Sequence, residues 1–476
     1  MRRITSISFV TCLPVCFALN AQAYAQTVHS WSTTLSLEHK LSEQVPLEFG
    51  TVPDLGSAVI TINDSRSYQT IRGMGSSFDH ATSFNLSKLD AKDREIVLRR
   101  LLGTWPGIGV NLMRVCIGTS DFTGDPWYSY DDMSAGKADP KLRQFTIDKD
   151  RLYILPILKQ ARKINPDLQF FASPWSPPGW MKTTGNMIGG TLLPKWYGAY
   201  AQFFVKFIKA YERESIPIYA VTVQNEPGVD REKQPKMRYP SCHWTVEEER
   251  DFIKSYLGPA FRKAGLKTRI WCYDHNFNVK PDKENAGIAY PRIILKDPEA
   301  AKYVDAVAFH GYTGEPSGMT DFHNEFPKAT IRFTEGSVFD MWGAERLVDL
   351  FRNWASSYNA WVAMLDTNGK PNNGPFEANR TMVMREAKTN SPKYLFEYYM
   401  LGQFSAFVKR GAARIESEGN GPFKHVAFKN PDGEIVLVSV NSGEKAVPAR
   451  IMWHGQGVHV ALEPKSVATF VWRSRN

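Results

Sequence analysis

Eight short β-rich runs alternate with helix-length amphipathic runs along most of this chain, and that alternation restricts its possible folds more than any other feature. The β-rich runs cover residues 70–78, 109–118, 169–176, 218–226, 268–276, 304–312, 330–337 and 359–366. Between them, residues 88–102, 151–165, 196–213, 246–264 and 344–356 repeat apolar side chains at helical spacing. Strand–helix alternation implies parallel βα units, and eight of them predict a (β/α)8 TIM barrel of the α/β class. The competing layout, an open doubly wound sheet, lacks its G-x-G-x-x-G turn after the first strand.

The flanks read differently. Residues 46–66 and 406–472 hold strand-like stretches and turn signals with little helix. N-P-D-G at 430–433 joins two such stretches as a hairpin. Neither flank alone closes a core, so both chain ends are expected to build one side β-sandwich. At 476 residues the chain exceeds the usual single-domain size. The expected division is a signal peptide over 1–25, an N-terminal sandwich segment over 26–69, the barrel over 70–404 and the C-terminal sandwich over 405–476.

Arg2 and Arg3 precede an apolar stretch over 4–19, and small residues around Ala23 and Ala25 offer cleavage sites. The stretch is too short and too interrupted, by Thr11 and Pro14, to span a membrane. A secreted or periplasmic protein starting near Gln26 is expected. Cys12 and Cys16 would leave with the signal; Cys116, Cys242 and Cys272 then remain, at spacings that define neither a disulfide framework nor a zinc site. The net charge of +9 is dispersed, without the basic block or motif of a nucleic-acid partner. No protein partner is indicated.

The C-terminal ends of barrel strands converge on the active site. Here they carry Asp79 and His80, Arg114 leading toward Asp121, Ser173-Pro174-Trp175, Asn225-Glu226, Asp274-His275-Asn276, His310 and Tyr312, Thr334-Glu335, and Trp361 with Asp366. On the fourth strand Glu226 shares parity with Gln224, Thr222 and Ala220, a small and polar face suited to a barrel interior. On the seventh, Glu335 shares parity with the bulky Phe333 and Ile331, a less regular pattern. Glutamates at the ends of strands four and seven face each other across a barrel mouth. Retaining glycosidases need such a pair, one carboxyl as acid/base and one as nucleophile, about 5–5.5 Å apart. Two carboxylates so close also raise the pKa of one of them. Nothing in this scheme calls for a metal or another cofactor, and no H-E-x-x-H pattern is present.

The motifs G-M-G-S-S-F-D, L-M-R-V-C-I-G-T-S-D-F, A-S-P-W-S-P-P-G-W-M-K, T-V-Q-N-E-P, A-F-H-G-Y and F-T-E-G, in that order, resemble glycoside hydrolase family 30. This is the family of glucosylceramidases and microbial β-1,6-glucanases, and the resemblance runs from about Leu55 to Trp472. It implies a catalytic barrel with a sandwich from both chain ends, and hydrolysis with retention by Glu226 as acid/base and Glu335 as nucleophile. It also implies Asn225 on the sugar 2-hydroxyl, Asp79 and Trp175 on other hydroxyls, and Trp361 as an aromatic floor. By the same resemblance Arg114 orients the nucleophile region and His310 and Tyr312 line the site near Glu335; His275 and Asn276 read either as rim contacts or as a satisfied polar strand end.

Val362 departs from the pattern, since relatives often place Asn after this Trp. Residues 124–132 resemble the β-1,6-glucanase branch, whereas 173–182 and 297–304 resemble the glucosylceramidase branch. The loop 228–242 is long and rich in Lys, Arg and Pro and is placed to shape the aglycone side. The leading expectation is a glucosylceramidase-like enzyme acting on a β-glucoside, either a glycolipid or a β-glucan. An endo-β-1,6-glucanase with the same pair is the alternative. A non-catalytic carbohydrate-binding protein is a remote third reading, since a binding module has no use for two like charges held together.

Overall fold

The computed structural model describes residues 26–53, 57–124, 126–228, 238–277, 287–337, 339–377 and 380–473. The expected signal segment, 1–25, and residues 229–237 of the loop after Pro227 lie outside the described residues.

The barrel strands are β1 Gly73–Ser76, β2 Leu112–Cys116, β3 Gln169–Ser173, β4 Ile218–Thr222, β5 Arg269–Asn276, β6 Val304–His310, β7 Ile331–Glu335 and β8 Ser357–Ala360. β2 to β7 form a six-stranded parallel sheet in chain order, and β8 pairs in parallel with β1. Backbone hydrogen bonds sew the two arcs into a closed barrel. Phe78 N–H to Arg114 C=O at 2.8 Å joins β1 to β2, and Ser356 N–H to Ile331 C=O at 3.0 Å joins β7 to β8. The G-M-G sequence of β1 is required by the first of these seams. A Cβ on Gly75 would meet the Leu112 carbonyl oxygen at 2.0 Å.

Helices Ile154–Ile164, Tyr197–Arg213 and Asp340–Arg352 bury apolar stripes against the outside of the barrel. The stretch expected as one helix over 246–264 is helical throughout, but with a π-turn at Ile253–Leu257 between Val246–Phe252 and Gly258–Ala264. Its start is fixed by a Thr245–Glu248 capping box. Two expected strand ends need correction. Asp79 ends no strand; its carboxylate caps helix His80–Lys88, accepting from the N–H groups of Ala81 and Thr82. The run expected as one strand over 359–366 is broken after Ala360, and Met364–Asp366 instead pairs with Val383–Arg385 in a separate small sheet.

Both chain ends meet in a ten-stranded sheet. Thr27–Thr34 pairs antiparallel with Ser466–Arg473, while Ala58–Thr70 pairs with Ala413–Gly419 and, in parallel, with Val447–Trp453. The expected hairpin is present, Lys424–Lys429 against Glu434–Asn441. Alternation along these strands gives the sandwich two apolar faces. Ile435 and Leu437 enter its own core with Ile60 and Ile451, whereas Val436 and Val438 join the barrel's core. The sandwich is therefore welded to the barrel, as the sequence leads one to expect of a module built from both ends. Among the described residues no helix is long and apolar enough to cross a membrane.

Candidate active site

The strand ends of the barrel surround a cavity of ≈ 500 Å³, lined among others by Asn225, Glu226, Tyr312, Glu335 and Trp361. Beneath its floor lies a buried polar network centred on Arg114 and Asp274, which are 1% and 0% exposed. Arg114 gives Nη2 to Asp274 Oδ2 at 2.9 Å and to Asn225 Oδ1 at 2.8 Å, Nε to Ser173 Oγ at 3.1 Å, and Nη1 to Glu335 Oε2. Asp274 also accepts from Thr222 at 2.7 Å and Thr334 at 2.6 Å. Burial alone would push the Asp274 carboxyl up, but Arg114 and His310 outweigh it and hold it far below the usual carboxylate range. Burial also opposes a charge on Arg114, and Asp274 and Glu335 overcome that too. Six strands, β2 to β7, thus share one polar knot that fixes where the next layer of side chains can point.

That next layer holds the two glutamates. Glu335 Oε1 accepts from the Tyr312 hydroxyl at 2.8 Å, opposite the oxygen bound by Arg114. His310 stands between the two carboxylates, with Nδ1 3.5 Å from Glu226 Oε1 and Nε2 3.8 Å from Glu335 Oε2 and 3.0 Å from Asp274 Oδ1. Burial disfavours charge on this imidazole, yet Glu335 and Asp274 push its pKa up to about 9. His275 Nδ1 approaches the same Glu226 oxygen at 3.6 Å, and Tyr239 Oη approaches Oε2 at 3.5 Å. Both glutamates predicted from strand ends therefore reach one cavity, on either side of one histidine. Glu226, His275 and His310 also bring three ligand atoms within 4.8 Å of one another, the arrangement among the described residues that could hold a metal ion.

Strand parity explains only part of this placement. On β4 it holds through Gln224, which donates to Trp175 C=O at 2.7 Å, and then the chain turns. Glu226 has φ 52°, a left-handed conformation costing a residue with a Cβ about 1–2 kcal/mol. Its N–H reaches Asp274 C=O at 3.1 Å, which pins that turn. On β7 the irregular parity has a physical cause. The ladder to β6 shifts register, pairing Phe309 with Phe333 but His310 with Glu335. Arg332 and Thr334 thereby face the interior, and Glu335 reaches the mouth as well.

Trp175 and Trp361 stack with ring centres 5.1 Å apart and border the cavity. Arg114 and His310 act from beneath the lining, through the glutamates. Asp79 is buried and caps helix His80–Lys88 with one backbone N–H on each oxygen, and its charge is felt by Asp121, which lines the cavity. Asp121 lines the cavity, and its carboxyl has no side-chain partner among the described residues. Burial, then the charges of Glu335 and Glu226, push it up to about 8. The available signal was the S-D-F at the end of the L-M-R-V-C-I-G-T-S-D-F motif, five residues past the end of β2. Phe122, Tyr239, Asn276 and Phe376 also line the cavity and were not placed there by strand-end reasoning, except Asn276 as a rim residue.

A barrel with paired glutamates at its mouth and a side sandwich has the frame of a glycoside hydrolase. Comparison with known proteins agrees along nearly the whole chain. The profile described as glycosyl hydrolase family 30 TIM-barrel domain matches residues 71–408, and that of the glycosyl hydrolase family 30 beta sandwich domain matches 411–470. The chain belongs to glycosyl hydrolase family 30 and is a glycoside hydrolase. It is 32% identical to an endo-1,6-beta-D-glucanase of Neurospora crassa, over 95% of this chain and 92% of the relative. It is 29% identical to the lysosomal acid glucosylceramidase of Mus musculus, over 87% and 83%. A solved endo-beta1,6-glucanase superposes with a TM-score of 0.83 at 30% identity, covering 94% of this chain and 99% of that one.

Proposed function

We propose that this protein removes terminal β-glucosyl residues with retention of configuration, in the manner of a glucosylceramidase, using Glu335 as nucleophile and Glu226 as acid/base. The observation that carries the reading is the placement of both carboxylates on one ≈ 500 Å³ cavity whose outer wall is aromatic and apolar. In the first step Glu335 attacks the anomeric carbon while Glu226 gives its proton to the departing oxygen. In the second, Glu226 takes a proton from water, whose oxygen displaces Glu335. Arg114 and Tyr312 hold one oxygen each of Glu335, which fixes the plane of the carboxylate. Asn225 accepts from Arg114 through Oδ1, so its NH₂ is left to meet a sugar hydroxyl. Trp361 offers a flat face for the sugar ring and Asp121 an acceptor for a further hydroxyl.

The aglycone preference rests on the rim. Tyr239 and Phe376 meet with ring centres 5.9 Å apart and close one side of the cavity, with Leu365 and Val362 beside them. A walled pocket suits one terminal sugar, and an apolar rim suits a lipid aglycone. A second reading, endo-cleavage of a β-1,6-glucan, is supported by the relatives named above and by residues 124–132. Incubation with glucosylceramide and with a β-1,6-glucan, followed by chromatography, separates the two. Free glucose from the lipid supports the first, a ladder of oligosaccharides from the polymer the second, and Glu335→Gln serves as the inactive control. The amino-terminal segment supports export to the periplasm or medium, testable by the mass of the mature protein's first peptide.

A further inference from the structure

A second cavity, of ≈ 480 Å³, opens at the opposite end of the barrel, where β1, β7 and β8 begin. Arg72, Arg332 and Arg410 line it. Arg332 is only 7% exposed. It gives Nη1 to Ser356 Oγ at 2.9 Å, while its buried Nε has no partner among the described residues. Arg72 gives Nη2 to Gln169 at 2.6 Å, and its buried Nε likewise has none. Arg410 gives one bond from each nitrogen to the carbonyls of Arg72, Asp167 and Asn111 at 2.7–3.0 Å, which fixes its guanidinium in place, so it contributes chiefly charge. Among the described residues none of the three has a carboxylate at ion-pairing distance; nearby Asp305 is paired with Arg269 at 2.9 Å. Arg72 and Arg269 both lie over the Tyr219 ring, at 4.1 and 4.4 Å. Burial chiefly pushes Arg332 down to about 10, with Arg72 and Arg269 adding to the fall and Tyr219 and Asp305 opposing it.

Buried charges are ordinarily paired, and unsatisfied guanidinium donors are costly. A monovalent carboxylate would leave most of this charge unanswered, whereas a phosphate group brings up to two charges and several acceptor oxygens. We propose that this cavity binds a phosphate-class oxyanion, free or as the monoester of a small molecule, on Arg332 and Arg72. Such an anion bridges the starts of β1, β7 and β8, the strands of the barrel's closing seam. Its effect is therefore on stability, since the glutamates lie at the other end of the strands.

The test titrates the purified protein with inorganic phosphate and, separately, with glucose 6-phosphate, at constant ionic strength set with sodium chloride. Calorimetry is expected to show saturable one-site binding. Ligand at about 100-fold its Kd is expected to raise Tm by roughly 3–5 °C over chloride alone. Arg332→Met and Arg72→Gln each weaken binding at least about tenfold, as loss of a charge-assisted donor set requires. Arg72→Gln carries the test if Arg332→Met does not fold. Tighter binding of the sugar phosphate identifies the monoester as the ligand; equal or weaker binding identifies the free anion. No saturable binding of either, or unchanged binding and unchanged Tm increments in a folded variant, overturns the proposal.

Discussion

Tyr312 donates its hydroxyl to Glu335 Oε1 at 2.8 Å, on the carboxylate whose other oxygen is gripped by Arg114. The two donors differ in kind, because Tyr312 is 44% exposed at the mouth while Arg114 is buried. A hydrogen bond to a charged group contributes about 1.5–3 kcal/mol, and exposure places this one at the low end. Tyr312→Phe is therefore expected to lower kcat/KM about tenfold on an aryl β-glucoside without changing Tm. Steady-state kinetics beside a thermal melt decide it, and a large fall in Tm would make the residue structural instead.

Removing Arg114 has the opposite signature. Arg114→Met leaves Asp274 and Glu335 facing each other across a buried gap, and breaking a buried ion pair costs about 3–5 kcal/mol. The variant is expected to unfold at clearly lower urea concentration. Arg114→Lys keeps the charge but not the fork that reaches Asp274, Asn225, Ser173 and Glu335 together, so it recovers only part of the loss. A midpoint equal to wild type for Arg114→Met would refute the view that this knot holds strands β2 to β7 in place.

The glutamates are distinguishable by leaving group. Glu335→Gln lacks the nucleophile and is expected to be inactive on every substrate. Glu226→Gln lacks the proton donor, whose contribution is about 10²–10⁴-fold. It should fail on glucosides with poor leaving groups yet still form the glycosyl-enzyme from a dinitrophenyl glucoside, seen as a covalent mass increase. Equal loss on both substrates would reassign Glu226.

Much of this site was legible because barrels put chemistry at strand ends, where Trp175, Glu226, His310 and Glu335 sit next to short apolar runs. What escaped was set by contacts between distant segments. Asp79 has the composition of a strand-end ligand, but only the structure shows that Ala81 and Thr82 claim its oxygens. In the sequence Asp121 is only the residue toward which the second strand leads; it lies beyond the end of β2, and its backbone carbonyl is held by the N–H groups of Asn373 and Gly374. Strand parity failed on β7 because a register shift cannot be read from one strand alone. The N-terminal strand Thr27–Thr34 has little apolar alternation of its own and forms by pairing with a strand more than four hundred residues away.

Glu249 offers a pH test independent of catalysis. It is fully buried on the helix outside β5 and accepts from Tyr273 N–H and the Tyr290 hydroxyl, both at 2.9 Å. Burial outweighs those bonds and raises its pKa from the ordinary 4.5 to about 7. Between those values the unfolded chain has released the proton while the folded chain keeps it. Stability from this group is therefore full below about pH 4.5 and is lost as pH rises to about 7. Glu249→Gln mimics the protonated side chain and removes the titration. Its amide still accepts from Tyr273 and can donate to Tyr290, whose hydroxyl already lies 3.2 Å from Thr245 C=O. Relative to wild type, the variant is expected to gain on the order of 3 kcal/mol of stability between pH 4.5 and pH 8. Urea unfolding of both proteins at the two pH values measures the difference, and an identical gap at both would show that Glu249 does not titrate in the fold as its burial requires.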